Sequence, residues 1–205
     1  MKRLSVIAMG LLAIGFTFVG GAERLFAQSD AGWITLIDGA NGLENWNRLG
    51  DANWRAEDGA IVADKGKGGY LVSKASYTNF EIRAEFWAGH DANSGIFMRC
   101  ADPDKITDRT CYEANIFDQR PDPTFGTGAL QHLVRASPML KVGGQWSTYV
   151  ITVKDTHVRL VLNGVETATG YDSQLASGPV ALQFGNRGKE PGGVIKWRKV
   201  EIRPL

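Results

Sequence analysis

The sequence predicts an all-β protein, an antiparallel β-sandwich of jelly-roll type, on three observations. Short runs of aromatic and β-branched residues recur along the chain, several of them alternating apolar with polar. Turn pairs such as Asp58-Gly59 and Asn163-Gly164 separate these runs, and the 25 glycines are spread throughout. Beyond the N-terminal apolar stretch no segment carries a helical period, so two packed sheets are the way to bury one face of each strand.

In chain order, Met1-Lys2-Arg3 is a short basic head, and Leu4 to Gly21 is an apolar stretch with several small residues. Ala22 and Ala27 offer cleavage positions before the chain turns polar at Gln28-Ser29-Asp30. That composition is a secretory signal peptide, expected over 1–27, with a single domain over 28–205. An uncleaved membrane anchor is the other reading, because the stretch is close to the ~18 residues that span a bilayer. Either way the remainder is expected to be exported, periplasmic or secreted. No second apolar run is long enough to cross a membrane.

Gly32 to Gly39 reads as a strand closed by an Asp-Gly turn, and Leu43 to Trp46 follows it. Asn53 to Ala63 is a hairpin turning at Asp58-Gly59. The basic, glycine-rich Lys65 to Gly69 is expected to be a hairpin tip, since no helix follows to give a phosphate cradle its amide donors. Phe80 to Phe86 alternates strictly, sending Phe80, Ile82, Ala84 and Phe86 to a core and Glu81, Arg83 and Glu85 outward. Asn93 to Asp118 is a second hairpin with a polar loop. Gln119 to Gly128, with Pro121 and Pro123, is a long irregular segment of the kind that often carries function. Strands are expected at Ala129 to Arg135, Trp146 to Lys154, His157 to Leu162, Val180 to Phe184 and Ile195 to Ile202, with Asn186 to Gly193 as a loop.

Charge narrows the partners. With 23 basic and 22 acidic residues mixed along the chain and a net charge of +1, there is no basic patch for nucleic acid and no polybasic arm for a membrane surface. A small neutral ligand such as a sugar or glycan is the more natural partner. The only cysteines, Cys100 and Cys111, stand at the two ends of the second hairpin. In an oxidising compartment they are expected to form a disulfide, whose closed loop of about ten residues is worth up to roughly 3 kcal/mol.

The same hairpin holds the densest potential chemistry. Glu113, Asn115 and Asp118 lie at i, i+2 and i+5; a regular strand puts the first two on one face, and one bulge after Asn115 would return Asp118 to them. Two carboxylates so placed are the minimum equipment for glycosidic cleavage. Crowding would raise one pKa toward that of an acid working near neutrality. Arg99, across the hairpin, is expected either to fix a carboxylate in a bidentate ion pair or to bind a sugar oxygen. The loop acids Asp102, Asp104 and Asp108 do not follow a calcium-loop spacing, and His90, His132 and His157 are scattered. No metal and no cofactor is expected. Most tryptophans should fill the core, and Trp46, in a turn-like stretch beside Asn47 and Arg48, is the candidate sugar platform.

Taken in order, a set of motifs resembles the 3-keto-disaccharide hydrolase domain family. They include Leu36-Ile37-Asp38-Gly39, Leu43-Glu44-Asn45-Trp46, Asn93 to Arg99, Tyr112-Glu113 through Asp118, Thr127-Gly128-Ala129, Gln145-Trp146, Leu162-Asn163-Gly164 and Gly178 through Leu182-Gln183. The resemblance implies a concanavalin A-like jelly roll and cleavage of glycosides already oxidised to a ketone at C3. That ketone acidifies the adjacent C–H, so a carboxylate base can expel the aglycone and water can add back. On this basis Glu113 and Asp118 are the expected base and acid, and Arg99 the group that polarises the keto oxygen. Asn115, Gln131, His132, Gln183, Glu85 and Trp46 are the candidate sugar-binding residues. Relatives carry an acidic residue, His and Gly where this chain reads Phe184-Gly185-Asn186, and His132 is the candidate to replace that histidine from a neighbouring strand. A carbohydrate-binding module of the same fold, or a cell-surface structural domain, are the competing functions.

Overall fold

The computed structural model describes residues 32–187, 190–191 and 193–205, and the expected signal segment lies outside them. The strands are β1 (Ile34–Asp38), β2 (Trp46–Gly50), β3 (Arg55–Glu57), β4 (Ala60–Ala63), β5 (Gly69–Tyr77), β6 (Phe80–Ala88), β7 (Ser94–Met98) and β8 (Tyr112–Ile116). They continue with β9 (Trp146–Lys154), β10 (His157–Leu162), β11 (Val165–Tyr171), β12 (Gly178–Phe184), β13 (Asn186–Arg187), β14 (Glu190–Pro191) and β15 (Ile195–Pro204). One eight-stranded antiparallel sheet runs β11-β10-β9-β6-β15-β4-β3, with β1 also on β15. A five-stranded sheet, β2-β5-β12-β7-β8, packs against it, and β13 with β14 makes a small ribbon. Among the described residues the only helix is a 3-10 turn at Leu43–Asn45.

The alternation of β6 works as its sequence predicts. Phe80, Ile82, Ala84, Phe86 and Ala88 are buried, and the residues between them face outward. They meet Tyr149, Ile151 and Val153 from β9, Trp197 and Ile202 from β15, and Leu71, Ile96, Ala114 and Leu182 from the facing sheet. Each fully buried large apolar side chain in that layer contributes about 1.5–3 kcal/mol relative to exposure. Two of the two-residue turns have positive φ at both central residues, 49° and 73° at Asp58-Gly59 and 50° and 79° at Asn163-Gly164, the geometry that Asp-Gly and Asn-Gly pairs favour.

Four expectations need correction. Lys65 to Gly69 is no hairpin tip: it carries the chain from β4 in one sheet to β5 in the other. Trp46 opens β2 and points into the core at 4 % exposure, its indole N–H donating to the Leu36 carbonyl at 3.4 Å, so it offers no sugar platform. Ala129 to Arg135 forms only isolated bridges, Ala114 with Leu130 and Leu130 with Val134, because the backbone reverses at His132 with φ 65°. Glu85 faces outward from the other sheet, paired with Arg198 at 2.6 Å.

Candidate functional site

Register decides which side chains share the outward face of the five-stranded sheet. Gln183 on β12 stands opposite Tyr70 on β5, and Ala181 opposite Phe97 on β7. Phe97 is opposite Glu113 on β8, and Gly95 opposite Asn115. Their chain neighbours Leu71, Leu182, Ile96 and Ala114 turn into the core. Yet β7 and β8 are buried at every position, so their outward face is covered as well.

Part of the cover is the loop of the second hairpin. Cys100 and Cys111 form a disulfide at its base, with Cα atoms 4.2 Å apart. Ile106 of the loop packs with Val72, Phe97, Ala181 and the two cysteines in a small apolar cluster outside the main core. The rest is the segment after β8, which runs back beside it: Gln131 N–H donates to the Glu113 carbonyl at 2.9 Å, and Asn115 N–H to the Ala129 carbonyl at 3.0 Å. Between the two covers a cavity of about 290 Å³ remains open, with Glu113, Asn115, Gln183 and Tyr70 toward the sheet and Asp108 and Arg120 on the loops.

Glu113 is 4 % exposed. Its Oε2 accepts a hydrogen bond from Gln131 Nε2 at 2.6 Å, and the same Gln131 nitrogen lies 3.2 Å from Asp108 Oδ2. Burial pushes the Glu113 carboxyl up to about 8, the negative Asp108 adds to that, and the Gln131 hydrogen bond opposes it. Glycine at 95 is a steric requirement of this arrangement, since a Cβ there would stand 2.8 Å from Glu113 Oε1. Asn115 is held by its Nδ2 donating to the Phe125 carbonyl at 2.6 Å. Gln183 donates to the Tyr70 hydroxyl at 3.3 Å, and its buried Oε1 has no partner among the described residues.

Arg99 and Asp118 do not join Glu113 at this cavity. Arg99 leaves β7 with φ 50°, which turns its side chain out of strand register. Its guanidinium donates to the carbonyls of Thr78 at 2.7 Å, Asp155 at 2.7 Å and Leu175 at 3.0 Å, and to Asn79 Oδ1 at 3.0 Å. No carboxylate is among those partners, so the expected ion pair is replaced by a clamp on three loops. Burial draws its pKa below the ordinary arginine value. Asp118 lies past the end of β8, and no bulge returns it. Its Oδ1 accepts from Thr127 Oγ1 at 2.6 Å, and its Oδ2 from the Val142 and Gly143 N–H groups at 2.8 Å each. His132 lies in a turn rather than on a strand, its Nε2 2.7 Å from Asp108 Oδ2.

Tyr70, Asn93, Phe97, Arg120 and the ligand-facing role of Asp108 are absent from the sequence-level candidates, although all line the cavity. The alternation in Gly69-Tyr70-Leu71-Val72 could have placed Tyr70 on a strand face; nothing local announces Arg120. Arg120 stacks over Phe117 at 5.1 Å and is the only Lys or Arg among the described residues of the cavity wall. Among the described residues no three His, Cys, Asp or Glu side chains gather as a metal site.

The sequence matches the 3-keto-alpha-glucoside-1,2-lyase-like domain over residues 32–203. The chain belongs to that family. Two Parabacteroides distasonis proteins, both provisionally described as glycosyl hydrolases, share the fold. One is 19 % identical over 85 % of this chain and 94 % of its own, with a TM-score of 0.70. The other is 24 % identical over 84 % and 99 %, with a TM-score of 0.68. The carbohydrate-binding module CBM66 of Bacillus subtilis superposes at a TM-score of 0.58, with 12 % identity over 84 % of this chain and 95 % of the module. No curated protein matches. Family membership thus rests on the sequence match, and the solved structures establish a sandwich shared by glycosidase-like and sugar-binding proteins.

Proposed function

We propose that this protein cleaves glycosides carrying a ketone at C3 of the sugar, with the Glu113 carboxylate as the base that removes the C2 proton. The observation that carries the reading is the placement of Glu113: a carboxyl buried at the cavity floor, within reach of an open space the size of a sugar ring. A base with a pKa near 8 is far stronger than an exposed glutamate, yet a usable fraction is ionised at neutral pH. The keto oxygen gains negative charge as the proton leaves. Arg120 and the Tyr70 hydroxyl, both on the cavity wall, are the donors in place to stabilise it, a role the sequence had suggested for Arg99. Gln183 and Asn115 line the same cavity beside the ring. Arg99 and Asp118 act on the scaffold in this account.

The test is turnover of a 4-nitrophenyl 3-keto-glucoside beside its unoxidised parent, read by product mass. The wild type is expected to consume the keto compound alone, and Glu113→Gln to lower that rate by about 100-fold or more. Binding of either compound without turnover would instead make the protein a carbohydrate-binding module. Undiminished turnover by Glu113→Gln would remove the base assignment.

A further inference from the structure

A second cavity, of about 260 Å³, adjoins the first, and Asp108 and Gln131 line both. Its own walls include Tyr112, His132, Leu133 and Asp172. Leu133 is 42 % exposed and, with Leu175, gives the enclosure an apolar side. His132 is held tightly for a residue in a turn: its Nε2 is 2.7 Å from Asp108 Oδ2, and its ring meets the edge of Phe125 with centroids 5.1 Å apart. Three hydrogen-bond contacts in series, His132 to Asp108 to Gln131 to Glu113, therefore cross the divide between the cavities.

We propose that the second cavity receives the leaving group of the glycoside and that His132 delivers the proton to it. The proposal rests on the reading of Glu113 as base. With the oxidised ring over Glu113, the C1–O bond lies across the Asp108 and Gln131 divide, and the aglycone extends past His132 toward Leu133. Asp108 takes Nε2, so Nδ1 is the nitrogen that exchanges the proton, with the ring oriented by the carboxylate behind it. The step balances. The C2 proton passes to Glu113, the C–H electron pair forms the C1–C2 double bond, and the C1–O pair leaves with the aglycone oxygen as that oxygen takes the His132 proton. Water then adds at C1 and loses its extra proton to solvent, His132 is reprotonated from solvent, and Glu113, whose proton exchanges with solvent through the open cavity, protonates C2.

An acid is needed only where the leaving group is a poor one. A 4-nitrophenolate departs unaided, whereas an alkoxide does not. His132→Ala and His132→Asn are expected to turn over the 4-nitrophenyl 3-keto-glucoside within about threefold of wild type, and the methyl 3-keto-glucoside about 100-fold more slowly or worse. The first substrate also reports that each variant is folded. Equal losses on both substrates, or none on either, would overturn the proposal. So would a steep dependence of the wild-type rate on leaving-group acidity, a result that needs no variant. If Glu113→Gln abolishes both activities while His132→Ala affects both alike, the base assignment survives and this one does not. If Glu113→Gln leaves both activities intact, both fall.

Discussion

At the scale of single residues the account turns on how a carboxyl can be kept out of water without being neutralised by a cation. Glu113 accepts from Gln131, and that amide is shared with Asp108, so the carboxyl is oriented without a cation against it in these contacts. Burial is the main reason its pKa rises to about 8, and Asp108 supplies a further push in the same direction. For a base, activity requires the ionised form, so kcat/KM on the 4-nitrophenyl 3-keto-glucoside, whose leaving group needs no acid, should climb with pH up to about 8 and then level off. Asp108→Asn removes the like charge and should move that limb to lower pH; an unmoved limb in a pH–rate profile would show that Asp108 does not act on Glu113. The carboxylate at 113 could be picked out of the sequence, because a strand places positions 113 and 115 on one face whatever the rest of the chain does. Its elevated pKa could not, since that depends on a loop folding over the face.

Elements explain the sequence-level candidates that do not meet there. A strand transmits side-chain direction only while its φ stays extended. The backbone breaks at both outer ends of the β7–β8 pair, at Arg99 through a left-handed φ and beyond Ile116 where β8 stops. The period of two that correctly paired Gly95 with Asn115 and Phe97 with Glu113 therefore carries no information about 99 or 118. Freed from the ladder, each became a fastener: Arg99 for the turns at Thr78, Asp155 and Leu175, and Asp118 for the cover segment at Thr127 and at Val142 and Gly143. Arg99→Ala removes the donor from three part-buried carbonyls and should cost about 1–3 kcal/mol, read as a lower denaturation midpoint. Arg99→Lys should recover little of that, since one ammonium cannot span partners a planar guanidinium reaches together. The pH limb set by Glu113 should stay in place in both variants. A stable Arg99→Ala protein with a large selective loss of kcat would return Arg99 to the chemistry.

For the molecule as a whole, one sheet serves two purposes. The inward side of β5, β12, β7 and β8 completes the main core with Leu71, Leu182, Ile96 and Ala114, and the outward side of the same strands presents Tyr70, Gln183, Phe97 and Glu113 to the cavity. The larger sheet turns its outward face to solvent, where it carries pairs such as Glu85 with Arg198 and sets Trp33 between Arg83 and Arg203. This division is why the sandwich was readable from alternation and turn pairs while half of the site was not: strands buried on both faces lose the polar signature that marks an outward side. The central claim is that Glu113 breaks a carbon–hydrogen bond, and solvent deuterium tests it most directly. Incubated with a 3-keto-glucoside in deuterium oxide, the wild type should place deuterium at C2 of the sugar product, and Glu113→Gln should not. Product formed with no label at C2, or label acquired equally fast with Glu113→Gln, would contradict the account.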